Sequence, residues 1–296
     1  MKGTAYLLQA ALISFWWIGL LTNQNFYDAF QFPGIHSIAF NSFLLPDILI
    51  IAILSIARAY FGKQEIEFVI LGGFAFATLY CINASILTQG GFLGTTIMIL
   101  GLCYNCFLVF EKLMFRESNT KSFTKNWLKT IVQMISIWLI TLVLFPILIM
   151  ESSEGIPLVK ETNKLIGLSF FLVCSVLGIC SAYFMVKKGE GTPLPLDQTQ
   201  KLVVAGPYKY VRNPMAIAGV GQVVAISIIF SSIPILLYAL LGAVLWELVV
   251  KPIEEKDMEL RFGLDYKNYR GKVGCWIPKI TTYLHFLIRY YLSSFK

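Results

Sequence analysis

The sequence predicts an all-α polytopic membrane protein with about eight transmembrane helices, and three observations support this fold class. Of the 296 residues, 57% are hydrophobic and only 14% are charged. The hydrophobic residues form long uncharged runs, each close to the length that crosses a bilayer as a helix. Most Lys and Arg residues flank these runs, where they set the topology. This composition excludes a soluble globular chain, and the net charge of +7 is better explained by topology than by nucleic-acid binding.

Eight apolar runs define the predicted transmembrane helices. The first run follows Lys2 and is interpreted as a retained helix, because no small-residue cleavage site closes it. The segment 23–41 after this run is predicted to be a loop. Ser231, Ser232 and Pro234 form a tight turn between the last two runs, which predicts a helical hairpin. The eight runs are 5–21, 43–60, 66–87, 92–110, 130–150, 165–186, 215–230 and 233–250.

The chain beyond the last run is predicted to form interfacial helices. Residues 254–270 are strongly charged, and Met258 and Phe262 lie four residues apart, so a short amphipathic helix is expected. Gly263 is its predicted helix stop. Residues 276–292 are aromatic and apolar with interspersed charges, too short and too polar for a ninth span. We expect this last segment to lie in the plane of the membrane interface.

Positive charge alternates between successive loops. The segments 23–41, 88–95 and 231–232 contain no Lys or Arg, and the fifth loop has only Lys160 and Lys164, whereas the alternate loops and the tail from Lys251 are basic. Under the positive-inside rule, this alternation predicts that both termini are cytoplasmic.

The cysteines and histidines predict neither a disulfide framework nor a metal site. Five of the six cysteines lie within apolar runs, where Cys behaves as a small hydrophobe. Cys103 and Cys106 form a CxxC motif, but no second cluster of Cys or His accompanies it, so packing along one helix face is expected. The two histidines, His36 and His285, are far apart in the sequence.

The most informative stretch is 200–222, QKLVVAGPYKYVRNPMAIAGVGQ. The Gly-Pro pair within it signals a turn, and Pro214 is expected to begin the following helix. Free backbone N–H groups at that helix start can receive an acceptor, and Asn213 can offer its side-chain amide there. Arg212 keeps its charge, so it is expected to pair with a carboxylate or a phosphate.

A second polar cluster, KPIEE at 251–255, follows the hairpin. Glu254 and Glu255 are adjacent carboxylates that repel each other, so at least one should find a cationic or hydroxyl partner. Structural explanations exist for each feature, because Arg212 and Lys209 can reach lipid phosphates and the glutamates can form a solvated face. The tight hairpin between the clusters favours instead one cytoplasmic site for a small polar cofactor beside a lipid-buried substrate.

These motifs resemble a known superfamily. GPYKYVRNPM, the short hairpin and PIEEKDMELRFGLDYKNYRGKVGCWIP are similar to the isoprenylcysteine carboxyl methyltransferases and phospholipid methyltransferases, and GTPLPLD at 191–197 resembles bacterial members. The resemblance covers roughly 187–279. It implies a transferase that moves a methyl group from S-adenosyl-L-methionine to a lipid-embedded acceptor, either a prenylcysteine-like carboxylate or a lipid head group. The five N-terminal spans lie outside the resemblance and carry no polar constellation, so 1–163 is interpreted as a scaffold of five transmembrane helices or a partner surface, and 164–296 as a methyltransferase-like membrane domain.

The resemblance further implies a set of site residues. The cofactor would be contacted by Gln200, Leu202, Val203, Tyr208, Asn213, Pro214, Ala216 and Glu254. The catalytic residues would be Arg212, Glu254 and Glu255. Glu254 would suit the ammonium or ribose hydroxyls of the cofactor, and Arg212 would orient an anionic acceptor or brace the glutamates.

Three departures from the superfamily pattern keep alternatives open. Asn213 stands where many relatives have His, and Ala216 stands where many have Tyr. Val250 occupies the place of a substrate-binding Arg in prenylcysteine-specific relatives, which argues against that acceptor. The departures at Asn213 and Ala216 support a non-catalytic member of the fold as one alternative. Sterol reductases share a similar C-terminal pattern, so an NADPH-dependent, sterol-reductase-like membrane oxidoreductase is another.

Overall fold

The computed structural model describes residues 2–111, 115–152 and 164–279, and these residues form helices joined by short connections without a β-strand. Seven helices are long and apolar enough to cross a membrane, and one further apolar helix, Pro214–Ile229, is shorter with 16 residues. This confirms the predicted all-α polytopic membrane fold. The helices are α1 Lys2–Thr22, α2 Gln24–Phe30, α3 Ser37–Phe61, α4 Gln64–Thr88, α5 Phe92–Val109, α6 Phe123–Glu151, α7 Lys164–Gly189, α8 Pro214–Ile229 and α9 Ile233–Lys272.

The structure differs from the sequence prediction at two places. The predicted loop 23–41 contains the short helix α2, which begins where the Asn23 side chain accepts a hydrogen bond from the backbone N–H of Phe26 at 3.0 Å. The predicted amphipathic helix is continuous with the last span within α9. Gly263 bends this helix with φ 52° and ψ −124°, and the helix resumes beyond it. Residues 280–292 of the predicted interfacial segment lie outside the described residues.

The described chain divides into two compact units. The first unit comprises 2–111, 145–152 and 247–249, and the second comprises 115–144, 164–246 and 250–279. The assignment of 1–163 and 164–296 to scaffold and methyltransferase-like domain stays a prediction.

In the first unit, charged side chains join the ends of four helices. Arg58 near the end of α3 donates from Nε to Glu67 Oε1 near the start of α4 at 2.5 Å. Lys2 at the start of α1 lies 3.5 Å from Glu67 and 3.7 Å from Glu111, which follows α5. The starts of α1 and α4 therefore meet the ends of α3 and α5 at one face of this unit, as expected of helices that cross a membrane in alternating directions.

In the second unit, small residues let α7 and α8 pack closely. A Cβ atom at Gly167 would lie 2.7 Å from Ile229, and one at Gly221 would lie 2.5 Å from the Cys174 sulfur. Such close approach is typical of membrane helix pairs, where small side chains permit extensive van der Waals contact. These contacts pack the middle and the end of α8 directly against α7.

The predicted helical hairpin is formed by α8 and α9. Ser232 accepts a hydrogen bond from the backbone N–H of Ile235 at 3.4 Å and caps α9, as its position before a Pro-containing first turn favours. The hairpin brings the polar C-terminal half of α9 back to the start of α8.

Candidate functional site

The second unit contains a polar cavity with about 730 Å³ of empty space. It lies between the connection from α7 to α8, the start of α8 and the polar half of α9.

Arg212 ties three parts of this site together. Its Nη1 atom donates to Glu255 Oε1 at 2.5 Å and to the Tyr266 hydroxyl at 3.2 Å, and its Nε atom donates to the Val273 carbonyl at 3.1 Å. Its backbone N–H donates to the Gly274 carbonyl at 2.8 Å. Because a guanidinium keeps its charge and its planar geometry, these bonds fix the connection before α8 against α9.

Glu255 is neutralised by cations. Besides Arg212, it has Arg270 within 3.5 Å of Oε2. Arg212 is expected from the sequence to pair with a carboxylate or a phosphate, and the structure shows that its partner is the carboxylate of Glu255.

Glu254 has a different environment. It lines the cavity, and no hydrogen-bond or ion-pair partner is found for it in the described part of the chain. It lies four residues beyond the apolar part of α9, where the helix becomes strongly charged. Burial raises the pKa of its carboxyl to about 7, and the neighbouring carboxylates of Asp257 and Glu255 add to the effect. An unpaired carboxylate facing a cavity attracts a cationic ligand group.

Tyr208 presents a second unused polar group. Its side chain is buried against the cavity, and its hydroxyl finds no partner among the residues described. Burial also raises the pKa of this phenol above its ordinary value, so the hydroxyl keeps its proton. A buried hydroxyl without a protein partner is uncommon and is usually satisfied by water or by a ligand.

The backbone around Tyr208 is held in place from both sides. Tyr269 donates its hydroxyl to the Tyr208 carbonyl at 2.6 Å. Gly206 has a φ of +60°, and a Cβ atom there would overlap the ring of Phe184, so the turn requires glycine.

Sequence reasoning overlooked one part of the site, centred on Arg261. Its Nε atom donates to Asp257 Oδ2 at 2.8 Å, and its Nη1 atom donates to the Thr199 carbonyl at 2.7 Å. Gln198 donates to the same Asp257 oxygen at 3.0 Å. The signal was available in RFGLDYKNY, because Arg261 opens that motif and Tyr266 is its first tyrosine, and both line the cavity.

The structure brings together some of the predicted site residues. The cavity lining includes Val203, Tyr208, Arg212, Asn213, Glu254 and Glu255. The lining does not include Gln200, Leu202, Pro214 and Ala216.

Those four residues lie around the cavity. Gln200 donates its side-chain amide to the Ser118 carbonyl at 2.6 Å, and Leu202 packs against the cluster that contains Tyr266. Pro214 and Ala216 are in the first turn of α8, where backbone N–H groups lack intrahelical acceptors.

Asn213 occupies the N-cap position of α8, but its side chain makes no hydrogen bond to the backbone of the first turn. The side-chain amide instead donates to the Cys275 sulfur at 3.1 Å, and the backbone N–H of Asn213 donates to the Cys275 carbonyl at 3.3 Å. The predicted helix start at Pro214 is confirmed, with proline in the first turn.

The fold and this site define an all-helical integral membrane protein with a polar cavity where a C-terminal helical hairpin begins and ends. Residues 162–265, about a third of the chain, match the family model of the phospholipid methyltransferases. That family belongs to the isoprenylcysteine carboxyl methyltransferase-like superfamily, so the match confirms the predicted resemblance and supports a membrane methyltransferase. No curated protein and no solved structure matches the chain.

Proposed function

We propose that this protein is an S-adenosyl-L-methionine-dependent membrane methyltransferase that acts on a lipid-embedded acceptor from the cytoplasmic side. The observation that carries the proposal is the unpaired Glu254 carboxylate facing a cavity in the part of the chain that matches the methyltransferase family.

The polar groups of the cavity suit this cofactor. The Glu254 carboxylate would hold its ammonium group, because a buried carboxylate is stabilised by a cation. The Tyr208 hydroxyl, buried and unsatisfied by the described residues, would hydrogen-bond to a polar group of the ligand. Tyr269 and Met258 add an apolar surface of the kind on which an adenine ring packs.

When bound, the cofactor supplies an already activated methyl group, so the residues of the protein mainly bind and orient. Arg212, held by Glu255 and Tyr266, fixes the two walls of the cavity relative to each other. Such fixed geometry aligns the acceptor with the methyl group, which is a large contribution to rate in two-substrate reactions.

Apart from Glu254, which is assigned to the cofactor, the described lining residues offer no base for deprotonating an acceptor. A carboxylate or another already nucleophilic head-group oxygen needs no deprotonation before it is methylated, whereas an ammonium does. Val250 lies one turn before Glu254 on α9 and offers no charge for a prenylcysteine carboxylate. Both acceptor types, a prenylcysteine-like carboxylate and a lipid head group, are therefore to be compared directly.

The test is calorimetric titration of the purified full chain, reconstituted in lipid nanodiscs, with S-adenosyl-L-methionine. We expect binding in the micromolar range and at least a tenfold loss, about 1.4 kcal/mol, in Glu254→Gln. Asp265→Asn is the matched control, because it removes an exposed carboxylate from the same helix and should bind normally. Equal affinity of the wild type and Glu254→Gln would exclude the proposed site.

Two further measurements separate the alternatives. A parallel titration with NADPH should give no binding, and NADPH binding without S-adenosyl-L-methionine binding would favour the oxidoreductase. Incubation with methyl-labelled cofactor and a lipid extract should yield a labelled lipid, identified by mass spectrometry. Cofactor binding without any labelled product would favour a non-catalytic member of the fold.

A further inference from the structure

The first unit contains a second cavity, far from the polar motifs in the sequence. It has about 570 Å³ of empty space and lies among α1, α2, α3, α4 and α5. Half of its lining residues are aromatic, and they include Trp16, Trp17, Phe30, Phe40 and Tyr80.

One acidic side chain, Asp47, belongs to this aromatic lining. It is only 8% exposed and begins the π-helical turn Asp47–Ile53 within α3. Trp17 donates its indole N–H to Asp47 Oδ2 at 2.9 Å. The other carboxylate oxygen has no partner in the described ranges, and no Lys, Arg or His occurs among the described residues that line the cavity.

Asp47 is therefore a buried carboxylate without a protein cation. An ionisable side chain inside an apolar membrane helix is unfavourable unless it is paired, and it commonly marks a ligand or ion site. Short π-helical turns within α-helices also occur frequently at functional sites. The unpaired carboxylate indicates a cationic occupant, and the π-helical turn is of the kind found at functional sites.

The rings around the cavity pack against one another. Trp16 lies edge-on to Trp17 with ring centroids 5.3 Å apart, and edge-on to Phe30 at 5.7 Å. Trp17 lies 6.2 Å from Phe40. Gly91, with a φ of +65°, provides the space that the Phe32 ring occupies beside this cluster. Contacts between the rings thus position them around the cavity.

We propose that this cavity binds a quaternary ammonium ion, with Asp47 as the counter-charge and the surrounding rings as the cation–π surface. A primary ammonium would need several hydrogen-bond acceptors, whereas the lining supplies chiefly carbon. Aromatic cages with one carboxylate suit a methylated ammonium, which has no N–H to satisfy and a diffuse charge that ring faces attract. The site goes beyond the proposed methyl transfer and uses none of its residues.

Choline is the probe, because it joins a quaternary ammonium to a hydroxyl. The indole N–H of Trp16 is buried without a hydrogen-bond partner in the described chain, and it can donate to that hydroxyl. The matched neutral probe is 3,3-dimethylbutan-1-ol, which has the same shape and hydroxyl but a carbon in place of the charged nitrogen.

The experiment is equilibrium binding of each probe to the full chain in nanodiscs of uncharged lipid without choline head groups. Choline should bind at least tenfold more tightly than the neutral probe. Asp47→Asn keeps the shape and the acceptor for Trp17, and it should weaken choline binding at least tenfold without changing the affinity for the neutral probe. Phe30→Leu should weaken choline binding selectively by removing one ring face.

Controls distinguish this site from the proposed cofactor site. Glu254→Gln should bind choline as the wild type does, and Asp47→Asn should bind S-adenosyl-L-methionine as the wild type does, which also shows that the variant is folded. The proposal is overturned if the two probes bind equally well, if choline does not bind at millimolar concentration, or if folded Asp47→Asn retains full choline affinity.

Discussion

Glu254 and Glu255 are neighbours in the chain, but in the part of it that the structure describes only the Glu255 carboxylate forms ion pairs with arginine side chains. Glu255 receives Arg212 and Arg270, while Glu254 faces the cavity beside Asp257 and has no cation within the described residues. A site that binds a cation needs one carboxylate free and the other neutralised, since two free adjacent carboxylates would repel each other strongly.

This difference predicts a pH dependence of ligand binding. The pKa of the Glu254 carboxyl is raised to about 7, so much of it is protonated at pH 6 and ionised above pH 7. Affinity for S-adenosyl-L-methionine should therefore rise by about tenfold between pH 6 and 7.5, because the carboxylate form binds the ammonium. Calorimetry across this range would measure it, and Glu254→Gln should show a flat profile.

The raised pKa of Glu254 also affects the stability of the ligand-free protein, which falls as the pH rises, whereas ligand affinity increases. The folded-state pKa lies above the ordinary value of 4.5. The ligand-free protein is therefore expected to lose stability as the pH rises from about 4.5 through about 7, and Glu254→Gln should remove this loss. A wild-type affinity that does not change with pH would contradict the assigned role of Glu254.

At the scale of elements, the site depends on how the connection between α7 and α8 turns back towards α9. Gly206 permits the turn, and the hydroxyl of Tyr269 holds the backbone of Tyr208 beside it. Both contacts act on the short 3₁₀ helix Gly206–Lys209, so the geometry of the cavity depends on single residues in this connection.

Gly206→Ala should therefore destabilise the protein by about 1–3 kcal/mol, because φ is positive and the new methyl group overlaps Phe184. Thermal unfolding in detergent would measure the loss, and cofactor affinity should fall with it. Gly219→Ala is the matched control, since no atom lies within 4 Å of a Cβ placed there in the middle of α8. A substitution at 206 no more harmful than the one at 219 would argue against the required turn.

For the whole molecule, the arrangement of helix ends bears on membrane orientation. Lys2, Arg58, Glu67 and Glu111 meet at one face of the first unit, and the positive-inside rule predicts that this face is cytoplasmic. The opposite end of α3 carries Ser37 and follows a segment without Lys or Arg.

Single cysteines introduced in a cysteine-free background test this orientation. Lys63→Cys should react with an impermeant thiol reagent only from the cytoplasmic side, and Ser37→Cys should react only from the other side, because the 25 residues of α3 separate them. Both positions are exposed, so the label can reach them. Labelling of both cysteines from the same side would refute the predicted topology.

Much of the helical architecture is predictable because its signals are local. The apolar runs, the proline at the start of α8 and the serine turn of the hairpin each act on the backbone within a few residues, so the sequence predicts them without knowledge of the fold. Gly263 shows the limit, because glycine permits a bend or an end, and the structure contains a bend.

The sequence by itself determined the membrane class, the hairpin and the two polar clusters, since length, hydropathy and turn residues are properties of short segments. Only the tertiary structure decided that Arg212 pairs with Glu255, 43 residues away, and leaves Glu254 unpaired. It also decided that Asp47, one charge at the start of an apolar run, faces a cavity of aromatic rings. The physical reason is that charge pairing and cavity lining depend on which side chains long-range packing brings within a few ångströms.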